Sequence, residues 1–175
     1  EEPPEGVLFL LTADSLAGVL PTIRSRCVSF AIAPVSPADC ARYCTAHGVD
    51  KKTAALYSEL FDGHIGTVLT AARDKARTEQ VDKAMELARA AQAGDSYTAA
   101  VLLAPYEKDK AGAAALLRDL RAVAAAGLQG SPHAPVQGQQ AQRTLRLAEA
   151  AIQRLGAQVN PKIVLTVFAA RLAHA

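Results

Sequence analysis

Beyond Pro34 the sequence is punctuated for helices and for little else, which limits most of the chain to an α-helical fold. Ser36-Pro37-Ala38-Asp39 opens the series. Serine is a helix N-cap, proline is pre-set for the first helical position, and Asp39 stands where a capping-box acid reaches back. This helix stops at His47-Gly48, where glycine takes the left-handed C-cap. Asp50 caps the next, whose stripe is Leu56, Tyr57, Leu60 and Phe61, and Asp62-Gly63 closes it. Ile65, Val68, Leu69 and Ala72 mark a third. Three short helices between about residues 36 and 76 make a compact unit.

Longer helices are expected from Thr78 onward. Val81, Ala84, Met85 and Ala88 mark one, Ser96 to Pro105 holds a short one, and Leu116, Leu120, Val123 and Ala124 mark another. A loop rich in glycine and proline, Gly127 to Gly138, is expected to be flexible. Ala141, Leu145, Ala148, Ile152 and Leu155 then step by four and three, close to a heptad seam. Asn160-Pro161 opens the last helix with an N-cap and a first-turn proline, followed by Val164, Val167, Phe168 and Leu172. The pattern predicts a five-helix bundle. Alanine, about a fifth of the chain, suits such close helix packing.

The first 34 residues read differently, as strand, helix, strand. Val7-Leu8-Phe9-Leu10-Leu11 is a continuous apolar run between Gly6 and Thr12-Ala13-Asp14, suited to a strand buried on both faces. Ser15 to Arg24 is short and broken by Pro21, and Cys27 to Ile32 alternates loosely as a second strand. Two strands do not make a stable sheet alone, so the unit reads as a remnant of a larger α/β domain. The chain also starts Glu1-Glu2-Pro3-Pro4 without methionine, as if cut from something longer.

Charge and composition exclude several classes. Half the residues are hydrophobic, enough for a core. Nineteen Lys and Arg against 17 Asp and Glu leave a net charge of +2, so the whole chain is not a polycation, and no affinity for nucleic acid is expected at physiological salt. No apolar run is long enough to span a membrane, and no segment reads as a secretory signal. Three cysteines make no disulfide framework and fit a reducing cytoplasm. Cys40, Cys44 and His47 share one helical face. With no second ligand pair in sight, they read as a core stripe rather than a zinc site, and no metal is expected.

No phosphate-binding GxxxxGK[ST] loop, GxGxxG, HExxH or GxSxG occurs, and His47, His64, His133 and His174 are scattered without catalytic partners. One string stands out, Leu20-Pro21-Thr22-Ile23-Arg24-Ser25-Arg26-Cys27. Two arginines end a short helix just before a strand. Their planar forks suit a phosphate on a neighbouring surface, but the chemistry alone favours the plainer role of complementing the negative end of the helix.

Glu1-Glu2-Pro3-Pro4, the run Val7 to Leu11 and Leu20 to Cys27, in that order, resemble the AAA+ clamp-loader subunits of bacterial DNA polymerase III. The resemblance implies that residues 1–34 end a nucleotide-binding domain, 35–76 form its three-helix lid, and 77–175 form the helical collar through which subunits assemble. It implies that Ser25-Arg26-Cys27 is the Ser-Arg-Cys motif, with Arg26 an arginine finger reaching ATP and Mg²⁺ on a neighbouring subunit. Such an arginine acts by neutralising charge on the transferring phosphoryl group. The position of the lid's nucleotide-sensing arginine is held by Gly66 in Gly63-His64-Ile65-Gly66-Thr67, and the other sensor falls at Thr12 or Ala13. Both departures imply a non-hydrolysing subunit of the delta-prime kind, with a fragment of the gamma/tau motor as the alternative. On this resemblance the chain has no catalytic activity or cofactor of its own. Its partners are the gamma/tau and delta subunits and, through the assembled complex, the sliding clamp and primer-template DNA in the cytoplasm. Arg24 receives no firm role.

Overall fold

A computed structural model describes residues 4–13, 15–33, 35–157 and 159–173. The chain divides into two compact units, Glu1–Ala33 and Pro34–Ala175.

The first unit carries a 3-10 turn at Leu16–Gly18, capped by Ser15, and the four-residue helix α1, Pro21–Arg24. Pro21 therefore opens the helix rather than breaking it, as its fixed φ favours. The two strands expected at Val7–Leu11 and Cys27–Ile32 are not formed among the described residues. Both segments are exposed, with Leu8 at 81% and Ile32 at 95% of their full accessible area. The reason is physical: an extended segment becomes a strand only when a neighbour satisfies its backbone groups, and neither segment pairs. Asp14 and the first three residues of the Glu-Glu-Pro-Pro opening lie outside the described residues.

The second unit is helical throughout, and the chain is mainly α. Among the described residues it contains α2 (Pro37–Ala46), α3 (Lys51–Leu60), α4 (Ile65–Arg73), α5 (Lys75–Ala93), α6 (Ser96–Leu103), α7 (Lys110–Leu128), α8 (Gly138–Gly156) and α9 (Pro161–Ala173). The expected caps are in place. Ser36 Oγ accepts from the Asp39 N–H at 3.1 Å, and Asp50 accepts from the N–H groups of Lys52 and Thr53. Asn160 accepts from Lys162 N–H at 2.9 Å. Asp39 completes its box differently from expectation, accepting a hydrogen bond from the Ser36 hydroxyl at 2.7 Å and pairing with Arg42.

The longer helices start earlier than their apolar stripes suggest. α5 begins at Lys75, because Asp74 caps it by accepting from the N–H groups of Ala76 and Arg77. Asp95 and Asp109 cap α6 and α7 in the same way. One core joins all eight helices. Its largest fully buried members include Leu87, Leu103, Leu116, Leu117, Leu120, Leu155 and Leu172, each worth about 2 kcal/mol in burial. α7 packs most extensively on α8, α5 packs on both α7 and α8, and α6 lies against α9.

The connection expected to be flexible is pinned. Ala134 and Val136 are buried, and Gln137 donates through its amide to the carbonyls of Ser131 and Ala134 at 2.8 and 3.0 Å. The Ser131 hydroxyl donates to the Glu59 carboxylate on α3, and Gln137 N–H donates to Gln92 on α5. Gly127 serves close approach rather than mobility. A Cβ on Gly127 would lie 1.9 Å from the Val136 carbonyl oxygen, so only glycine lets the loop return across α7.

Candidate functional site

The Ser-Arg-Cys string sits at the end of α1, and the local bonds follow from the shortness of that helix. A four-residue helix leaves its carbonyls without intrahelical partners. The Thr22 carbonyl is met twice, by the Ser25 hydroxyl at 3.1 Å and by Arg26 Nη1 at 3.0 Å. Ser25 also closes the turn through its N–H to the Pro21 carbonyl at 3.0 Å. Ser25 and Arg26 thus converge on one acceptor, and the guanidinium folds back along the helix it follows. This cation complements the negative end of the α1 dipole. Both residues are exposed, as are Arg24 in the last turn and the free thiol of Cys27.

Thr12 and Ala13 are exposed in the same unit. Gly66 belongs to the second unit, as the second residue of α4. Its carbonyl accepts from the Thr70 hydroxyl at 2.9 Å, and an added Cβ would meet nothing within 4 Å. His64 precedes α4 as its N-cap residue and makes no side-chain capping hydrogen bond.

Cys40 and Cys44 are wholly buried in the core, whereas His47 is exposed and stacks on Tyr43 with ring centroids 3.9 Å apart. The three therefore do not converge. Burial pushes the Cys44 thiol above its ordinary range, with Cys40 adding to the effect, so this thiol stays protonated. No cluster of potential metal ligands occurs among the described residues. His133 is exposed, and His174 lies outside the described residues.

The sequence pattern missed a buried polar cluster. Asp119 on α7 is 6% exposed and accepts two bonds from Arg77 on α5 and one from Gln80 at 2.7 Å. The Arg77 guanidinium lies over the Phe61 ring, 5.6 Å from its centroid. Asp119's bonds hold Arg77 above its ordinary pKa. A signal was present: Asp119 falls within the apolar stripe of Leu116, Leu120 and Val123, and a carboxylate on a buried face requires a cation.

Among the described residues no helix is long and apolar enough to cross a membrane. The surface carries two open grooves. One, of about 350 Å³, lies between α6 and α9 and is mostly apolar. The other, of about 310 Å³, lies between the α3–α4 turn and α7.

Comparison with known proteins gives one match. Residues 1–36 fit the family described as DNA polymerase III, delta subunit. No curated protein and no solved structure matches the chain. The matched stretch contains the whole Ser-Arg-Cys string and stops just before α2. It supports a relationship to the clamp-loader proteins of DNA polymerase III.

Proposed function

We propose that the chain belongs to a subunit of a DNA polymerase III clamp loader, of the non-hydrolysing delta-prime kind. It serves sliding-clamp loading during DNA replication in the cytoplasm. The observation that carries this is the family match over residues 1–36, which encloses Leu20 to Cys27. The order of elements supports it: an exposed, unpaired apolar segment, three short helices, then five more of which three are 19 residues long. In this reading residues 1–34 end a nucleotide-binding domain, 35–76 are the lid, and 77–175 are the collar.

Arg26 acts in trans. On assembly its guanidinium leaves the Thr22 carbonyl for the γ-phosphate of ATP held with Mg²⁺ by a neighbouring gamma/tau subunit. Both acceptors are oxygens, and phosphate is the stronger because it is charged. Ser25 and Cys27 frame the arginine. Gly66 favours the delta-prime kind over the gamma/tau motor, because a glycine offers no side chain to a nucleotide.

The test is the DNA-stimulated ATPase rate of the reassembled loader. Arg26→Ala should leave the fold and assembly intact and slow hydrolysis at the adjoining site by about 10³- to 10⁵-fold, as for other trans arginines. An unchanged rate in an assembled complex refutes the assignment.

A further inference from the structure

We infer that the outward face of α8, with the end of α9, contacts the phosphate backbone of duplex nucleic acid. The net charge hides an imbalance. Up to Asp119 the sequence has 13 Lys and Arg against 16 Asp and Glu. From Leu120 to Ala175 it has six Lys and Arg against one carboxylate, Glu149. Three of those six lie on α8. At about 100° per residue, Arg143, Arg146 and Arg154 fall within an arc of about 80°. They lie opposite Ala141, Thr144, Ala148, Ala151 and Leu155, which face the core.

The neighbours of these arginines leave their charge uncancelled. Arg143 Nη2 donates to the Arg171 carbonyl at 2.6 Å, which brings the end of α9 and its own arginine alongside. Arg146 and Arg154 are exposed, and among the described residues no carboxylate lies within ion-pair distance of either. The two other basic residues of this half are placed elsewhere: Lys162 pairs with Glu107 at 3.2 Å, and Arg121 lines the groove beside α3.

The spacing and the filler residues identify the partner. Arg143 to Arg154 span about 16 Å of helix axis, close to five base-pair steps of duplex. The exposed positions on this side of α8 include Gln139, Gln142 and Gln153, whose amides also donate to phosphate oxygens, with Glu149 the one carboxylate at its edge. A protein partner would call for an aromatic or aliphatic anchor at the centre of the face. No large hydrophobic residue is exposed between Leu128 and Val159. Three or four phosphate contacts give weak, salt-sensitive binding, which agrees with no affinity at physiological salt and requires affinity at low salt.

The inference rests on α8 and α9 and is independent of the role proposed for Arg26. The test is fluorescence anisotropy of the whole chain with a short labelled DNA duplex across a range of low salt concentrations. Wild type should bind, and R146Q/R154Q should weaken binding about tenfold or more and reduce the salt slope by about 2. K51Q/K52Q, an equal charge change at the start of α3, should alter neither. Circular dichroism should show both variants folded. Three results would each overturn the inference: no binding by wild type at low salt, equal losses in both variants, or competition by polyglutamate as strong as by unlabelled duplex.

Discussion

Arg77 Nη2 lies 2.6 Å from Asp119 Oδ1, and the second prong of the guanidinium meets Oδ2, so one forked pair ties α5 to α7. Asp119 is almost fully buried, while a quarter of the Arg77 side chain remains accessible. Removing the carboxylate leaves the Arg77 cation over the Phe61 ring without its partner. Asp119→Ala should cost about 3 kcal/mol of stability, read from urea unfolding. The apolar double variant R77M/D119L should lose much less than the two single changes combined. A fully additive cycle would show that the pair does not act as a unit.

Two glycines should respond to alanine in opposite directions. At Gly127 the new methyl would strike the Val136 carbonyl, so Gly127→Ala should destabilise by about 2 kcal/mol. At Gly66, exposed in α4 with open space beside it, Gly66→Ala should stabilise by up to about 1 kcal/mol. Thermal melts of the two variants, moving down and up respectively, check the packing of the 129–137 loop directly.

Thr144 on α8 is 1% exposed and its hydroxyl has no hydrogen-bond partner. Thr144→Val keeps the shape and removes a desolvated polar group, so stability should rise by about 1 kcal/mol. A loss on this change would reveal a partner for the hydroxyl.

The aspartate caps make stability depend on acid. The Thr53 N–H, followed by that of Lys52, holds the Asp50 carboxyl below its ordinary range, and the Thr98 hydroxyl and N–H do the same for Asp95. Because the native values are depressed, this stabilisation is complete above the unfolded value of 3.8. It disappears as pH falls through the lower native values. Asparagine caps helices without titrating, so D50N/D95N should show a shallower loss of helicity between neutral pH and pH 3. Identical acid limbs would remove the caps from the acid response.

Most of the second unit was legible because its signals are local. Ser36, Asp50 and Asn160 act within three residues of themselves, and the stripes of α3 and α7 repeat at the helical period. The early start of α5 was missed because Asp74 stands among the charged residues Arg73 and Lys75, where its capping role is hard to separate from a solvated surface. Arg77 and Asp119 are 42 residues apart, and local patterning does not pair such distant groups. The strands at Val7–Leu11 and Cys27–Ile32 failed for the complementary reason: strand formation depends on neighbours that a local pattern does not contain. The Ser25-Arg26-Cys27 string was legible as a motif, but the shared acceptor at Thr22 was not.

Asp74 has a mechanical consequence. It is the single residue between α4 and α5, ending one through its N–H to the Thr70 carbonyl and starting the other with its carboxylate. The Thr78 hydroxyl bolts the joint from the far side by donating to the Ala71 carbonyl at 2.9 Å. A linker of several residues would absorb a tilt of α4 as slack. This one has two backbone torsions to give, and both helices are braced against it. The angle between α4 and the 19-residue α5 is therefore set at Asp74 alone.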